Sequence, residues 1–141
     1  MRAISRLATI VWLSILFAGS IWFASEWWEK GWATPLSEPL ISPNGCYRLE
    51  TFEPFWVLPA TFHLWVHPDD TVKPEWFAWW GYPGFYRLYD HRSGGLIAET
   101  RVYDVQLAGG QVYWGDSWGR TVSVGNIRIG LSLPDCIGGE E

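Results

Sequence analysis

From Leu7 to Ala24 the chain reads LATIVWLSILFAGSIWFA, a mostly apolar run without a charge. Wound as a helix it reaches roughly 27 Å, enough for a thin bilayer core. Arg2 and Arg6 precede it, and the first acidic residues, Glu26 and Glu29, follow it. The positive-inside rule then holds residues 1–6 in the cytoplasm and exports everything after Ser25. Trp22, Trp27, Trp28 and Trp32 gather at the exit, where indoles favour the headgroup layer. A cleaved signal peptide is the rival reading, with Ala18-Gly19-Ser20 as an acceptable small-x-small site. Its product would begin on Ile21-Trp22-Phe23-Ala24, a greasy start for a soluble domain. A buried core helix is the third alternative, and the only one that leaves the domain unexported.

Beyond the run the period changes. Residues 31–43 hold Pro35, Pro39 and Pro43 and read as a semi-rigid extended segment. After the turn Ser42-Pro43-Asn44-Gly45, residues 46–52 alternate as a strand. Residues 85–90 form a second strand, His91–Gly95 turn it, and Leu96 to Val105 return. Gln111–Trp114 is a further strand, followed by a turn over Gly115–Gly119. Val122 and Val124 alternate in one phase and Ile127, Ile129 and Leu131 in the other. The switch at Gly125-Asn126 marks either a two-residue hairpin turn or a bulge. The predicted class is mainly β, a small antiparallel β-meander or sandwich with one N-terminal transmembrane helix. The predicted division is an anchor or signal peptide over 1–25, a Trp/Pro-containing tether over 26–41, and a periplasmic β-domain over 42–137. Tyr47-Arg48-Leu49 and Tyr86-Arg87-Leu88 repeat a triplet, which shared strand composition explains.

Composition adds one anomaly. The 141 residues include 12 Trp, 6 Tyr and 7 Phe, and only 18% are charged. Pro54, Pro59, Pro68, Pro74 and Pro83 punctuate the segment between the first two strands, which also carries Phe55, Trp56, Phe62, Trp65 and residues 76–82, WFAWWGY. Prolines exclude a central strand or long helix there, and a long structured loop is commonly functional. Adjacent Trp79 and Trp80 cannot easily both point inward. Exposed Trp and Tyr are favoured interface anchors. The tryptophans thus divide three ways. Trp12, Trp22, Trp27, Trp28 and Trp32 belong to the membrane segment and its outer interface. Trp56, Trp65, Trp114 and Trp118 belong to a core or rim. Trp76, Trp79 and Trp80, with Tyr82 beside them, are the recognition candidates, and the acidic Asp69-Asp70 loop is the fallback contact.

Cys46 and Cys136 bracket the exported region, and in an oxidising compartment an isolated pair so placed reads as a disulfide. Closing that loop would stabilise the fold by roughly 4–5 kcal/mol in the chain-entropy model. Two buried reduced cysteines are the bland alternative.

Catalytic chemistry finds little support. Gly115-Asp116-Ser117-Trp118-Gly119 matches G-x-S-x-G, but a strand follows it and His63, His67 and His91 all lie upstream. A polar β-turn explains it. His63 and His67 stand four apart before Asp69 and Asp70. No third histidine lies close in sequence, and His67-Pro68-Asp69-Asp70 reads as a turn. Glu50, Glu53 and Asp90 form no carboxylate pair that can be placed across a cleft. An enzyme, a metal and a cofactor are not expected.

Four strings together, SPNGCYR (42–48), PFWVLP (54–59), GYPGFYRLYD (81–90) and YWGD (113–116), resemble a poorly characterised family of small enterobacterial membrane-anchored periplasmic proteins. Some members appear beside type VI secretion toxins. The resemblance spans residues 42–137, carries no catalytic residues, and implies an immunity-type protein that binds a toxin in the periplasm. The net charge of −5 disfavours nucleic acid, and from Ala33 onward 7 Lys+Arg against 13 Asp+Glu leave a balance of −6 that suits a basic protein partner. Alternative readings are an envelope-complex subunit that packs on another membrane protein, and a module that stacks cell-wall glycan on Trp76, Trp79, Trp80 and Tyr82.

Overall fold

The apolar run forms one helix, α1, from Arg2 to Trp28. Leu7, Ile10, Leu13, Phe17 and Phe23 are exposed around its surface. Ser14 and Ser20 satisfy their hydroxyls inside the helix, on the carbonyls of Ile10 (2.9 Å) and Leu16 (2.8 Å). The segment Arg6–Trp28 is long and apolar enough to cross a membrane, with a mean hydropathy of 2.0 over its best window and none of that window buried in the protein. An apolar surface of this extent calls for apolar surroundings. This computed structural model describes residues 2–108, 110–115 and 121–130. Ser117, Trp118, Leu131 and Cys136 lie outside the described residues.

The remainder is mainly antiparallel β, as expected. The strands are β1 (Thr34–Pro35), β2 (Leu40–Ile41), β3 (Tyr47–Glu53), β4 (Pro83–Asp90), β5 (Leu96–Glu99), β6 (Tyr103–Asp104), β7 (Val112–Tyr113), β8 (Val122–Val124) and β9 (Ile127–Gly130). Six strands make one sheet, with β3 and β4 at its centre; β7, β8 and β9 make a second. The predicted return from Leu96 to Val105 is split in two. β5 pairs with the later part of β4 and β6 with Pro83 and Gly84. At the phase switch Gly125 takes φ +53° and Val124 pairs with Ile127, which is a two-residue hairpin turn. The pairing register also shifts between Val122 and Ser123.

Alternation decides which side each ring takes. Leu49 opposes Leu88 and Thr51 opposes Tyr86, and this face packs against Val122, Val124, Ile127 and Ile129 of the second sheet. Phe52 opposes Phe85 on the other face, where Trp80 and Val102 cover the pair. The repeated Tyr-Arg-Leu triplets put Arg48 and Arg87 on that second face too. Arg48 pairs with Glu50 at 2.6 Å, and Arg87 pairs with Glu99 at 2.6 Å while stacking over Phe52 and Phe85.

The expectation of a tether over 26–41 needs correction. Helix α1 continues through Glu26 to Trp28, and the rest of the segment is built into the sheet. Thr34 and Pro35 pair with Glu53 and Phe52, and Leu40 and Ile41 pair with Leu49 and Arg48. Proline lacks the N–H of an inner strand but is tolerated on an edge, so these prolines select an edge position and not a free linker. Lys30 is tied down as well, to Glu99 Oε1 (2.9 Å) and the Thr100 carbonyl (2.7 Å), while Arg87 donates to the Lys30 carbonyl. The folded unit therefore starts at the end of α1 and not at residue 42.

Burial pushes the Glu99 carboxyl up, but hydrogen bonds from Arg87 and Lys30 outweigh it and the net shift is downward. Its folded value lies below its unfolded value, so its contribution is present above the ordinary 4.5 and is lost as pH falls through the folded value. Glu99→Gln is expected to cost about 1 kcal/mol at pH 7 after solvent screening. In melts followed by circular dichroism, the gap to wild type should close in acid. A gap unchanged in acid would contradict the assignment.

Candidate functional site

The loop between β3 and β4 is held from below by one carboxylate. Asp104, buried on β6, accepts from the Gly81 N–H (2.7 Å), the Tyr82 N–H (2.9 Å) and the Trp65 indole (3.1 Å). Gly81 suits this close approach, because a Cβ there would crowd that carboxylate and displace the Gln106 amide. Trp65 and Glu75 exchange backbone hydrogen bonds of 2.9 and 3.1 Å, which narrows the loop to a tongue over residues 66–74. At the tongue's tip Asp69 accepts from the Thr71 N–H and hydroxyl, and those bonds hold its carboxyl below the ordinary range. His67 Nδ1 accepts from the Asp69 N–H, so the predicted turn at His67–Asp70 is present. Asp70 is exposed and lies 3.5 Å from Arg101.

The two adjacent tryptophans separate. Trp79 is 85% exposed, whereas Trp80 is 7% exposed and meets Trp56 edge to face at 5.1 Å. Trp80 is thereby corrected from surface candidate to core residue; its ring covers Phe52 and Phe85, which would otherwise leave that face of the sheet open. Trp76 and Tyr82 stay exposed. Phe77, between Trp76 and Trp79, is 72% exposed and takes φ +60°, a left-handed conformation that a bulky side chain rarely adopts. Phe62 touches it edge to face.

A second constellation joins the end of α1 to this loop. The Ser25 side chain is 0% exposed and its Oγ accepts from the Val57 N–H at 3.1 Å. Ser25 Oγ lies 3.3 Å from His63 Nε2, and His63 Nδ1 lies 2.8 Å from Glu26 Oε1. With the proton on Nδ1 the chain runs in one direction, from Val57 N–H to Ser25, from Ser25 to His63, and from His63 to the Glu26 carboxylate. His63 is 2% exposed and stacks on Trp56 at 4.1 Å with an interplanar angle of 7°. The Trp56 indole donates to Glu29 Oε2 at 2.7 Å, and Glu29 O accepts from the Phe55 N–H.

Ser25, His63 and Glu26 follow the order of a hydrolase triad. The nucleophile is the difficulty. A fully buried hydroxyl that already accepts a backbone N–H offers no substrate carbonyl a path, so the arrangement serves as a latch between helix and loop. Glu26, Glu29 and His63 also present ligand atoms within 4.8 Å of one another, a spacing that a metal ion would accept. His63 thus meets the Glu26 carboxylate of α1. In sequence, the signal was the i, i+3 pair of carboxylates directly after the apolar run, with its histidine far along the chain.

Above the latch lies a cleft of about 300 Å³. Trp22, Trp56, Trp76 and Trp80 wall it, Glu26, Glu29 and His63 form its polar part, and Arg101 adds a half-exposed guanidinium. Trp22 thus serves a cleft as well as the helix exit assigned to it with Trp27, Trp28 and Trp32. Trp28 and Trp32 stack at 5.5 Å and Trp32 leans on Phe55. Cys46 is buried at the head of β3, and its expected partner Cys136 lies outside the described residues. Compared with known proteins, the chain matches no family model, no curated protein and no solved structure.

Burial, more than the repulsion from Glu26, raises the Glu29 carboxyl above its ordinary 4.5, although the Trp56 indole and Lys30 pull the other way. Its folded value exceeds its unfolded value, so its contribution is full below pH 4.5 and is lost as pH rises through the folded value. Glu29→Gln keeps an acceptor for Trp56 and is expected to stabilise the protein at pH 7, by under about 1 kcal/mol after screening. The gain should vanish in acid. A variant less stable than wild type at pH 7 would show that the charge itself holds the junction together.

Proposed function

We propose that the protein is a single-pass, membrane-tethered binding module whose β-domain faces a bacterial periplasm and captures a protein partner through the exposed loop from Trp76 to Tyr82. One observation carries the reading: Phe77 is displayed to solvent at φ +60° between exposed Trp76 and Trp79. Holding a bulky residue in that region costs about 1–3 kcal/mol. An exposed ring returns little of that cost to the fold, so the cost is repaid on contact with something else. Exposed Trp beside Phe and Tyr is the composition of an interface hot spot.

Arg2 and Arg6 before the apolar run, and Glu26 and Glu29 after it, support the orientation. The acidic balance favours a basic partner. A toxin delivered into the periplasm fits those terms, and the family resemblance of residues 42–137 points the same way, to an immunity protein. A disulfide between Cys46 and Cys136 belongs to the same proposal, since the periplasm is oxidising. An envelope-complex subunit is the second reading, favoured by Trp76 lining one cleft with Trp22 of α1, which brings the display loop near the helix end.

A photo-crosslinking residue at position 79 in the full-length chain, activated in living cells, tests the proposal. A discrete protein adduct is expected. Trp79→Ala should weaken capture of that protein by about thirtyfold, as truncation of a central tryptophan commonly does. The absence of any protein adduct would overturn a protein partner, and adducts to peptidoglycan alone would favour the glycan-binding role.

A further inference from the structure

We infer that the cleft at the end of α1 binds the phosphoethanolamine headgroup of a membrane lipid, with the ammonium against Glu26 and Glu29 among the indoles and the phosphate on Arg101. The inference rests on the membrane-spanning part of the preceding reading and not on its protein partner.

Three features converge on that ligand. The first is the wall. Trp22, Trp56, Trp76 and Trp80 surround the space, and tryptophan faces attract organic cations more strongly than other rings do. The second is charge. Two glutamate side chains share the cleft, and burial opposes the ionised form of Glu29, which a cation beside it would favour. Lys30 does not neutralise them fully, because its ammonium is bound to Glu99 and to the Thr100 carbonyl. A cationic ligand would relieve what the fold leaves uncompensated. Arg101 supplies the opposite sign: its pairing with Asp70 is long, at 3.5 Å, and leaves the guanidinium half exposed. Carboxylates with a guanidinium in one small space match a zwitterion, not a simple anion or cation.

The third feature is position. Trp22 lies inside the segment Arg6–Trp28 and Glu26 one turn further on, so the cleft opens at the level where headgroups sit in the proposed topology. Its volume is at the low end for ligand pockets, suited to a headgroup more than to a large solute. A divalent metal fits less well, although Glu26, Glu29 and His63 have the spacing. Both His63 ring nitrogens are in hydrogen bonds, to Glu26 and Ser25, and Glu29 holds Trp56. Indole walls give a hard cation nothing.

The test uses the full-length chain, extracted in mild detergent and presented with equal amounts of phosphatidylethanolamine and phosphatidylglycerol of identical acyl chains. Bound lipid is read by native mass spectrometry. Retention of phosphatidylethanolamine over phosphatidylglycerol by about tenfold is expected, and the preference should be lost in the Glu26→Gln/Glu29→Gln double variant. Because Glu26 also serves the latch, Trp76→Leu provides a second variant on the exposed wall; it should weaken retention with its melting temperature unchanged. Equal retention of the two lipids, or a preference that survives both variants, overturns the inference. So does a bound Zn²⁺ that excludes phosphatidylethanolamine, which would make the cluster a metal site. Equal binding of soluble glycerophosphoethanolamine would move the ligand out of the bilayer and overturn the lipid assignment. Carbonate extraction separates the two failures: a released chain overturns the anchor, whereas an anchored chain without lipid preference overturns the cleft alone.

Discussion

A single buried hydroxyl joins the two halves of this protein. Ser25, in the penultimate turn of a helix whose preceding residues are almost all exposed and apolar, is sealed under the loop between β3 and β4. It accepts from Val57 and meets His63, which in turn meets Glu26. A polar group at zero exposure is tolerable only with its hydrogen bonds complete, so loop and helix must arrive together. Once they do, Trp56 stacks on His63, Trp80 fits against Trp56, and Phe52 and Phe85 are covered. The second core of the domain is thus assembled on the end of the helix. A flexible tether would leave that core open.

The same constraint decides how the aromatic excess is used. Trp56 and Trp65 are each half-buried and place the indole N–H on a carboxylate, Glu29 and Asp104. Trp80 closes the sheet. Trp76, Phe77 and Trp79 remain outside, on a backbone that Asp104 pins and that passes through a left-handed phenylalanine. In the proposed topology one rigid joint positions both a headgroup cleft and a display loop beside the bilayer. Glu29 illustrates the compromise at such a joint, a carboxylate retained where neutral glutamine would suit the fold better.

Legibility in the sequence followed the range of the interactions. The helix was plain from an uncharged run, and the sheet from period-two alternation with glycine turns, because both signals lie within a few residues. At Val124-Gly125-Asn126-Ile127 the pattern is compatible with a hairpin turn or a bulge, and the chain makes the hairpin turn, with Val124 paired to Ile127. Prolines favour extended backbone equally in a linker and on a sheet edge, so residues 31–43 read alike in either role. Only the pairing of Thr34 and Pro35 with β3 distinguishes the two. Of the adjacent Trp79 and Trp80 only one faces inward, and which one depends on Trp56 and Phe85. The Ser25–His63–Glu26 latch is hard to read for a similar reason: Ser25 and Glu26 are neighbours, but His63 lies 37 residues beyond Glu26 and no recognisable motif links them.

The central claim is that α1 and the β-domain form one body, with the display loop resting at the bilayer surface. Spin labels at position 79 and at position 93, reconstituted in bilayers and read for lipid-soluble against water-soluble relaxant access, address it directly. Ser93 lies in the turn at the opposite end of β4, a strand of roughly 26 Å. The account expects the label at 79 to sit in the headgroup layer and the label at 93 to be fully aqueous. Equal aqueous access at both positions would mean that the domain swings free of its helix, and would contradict it.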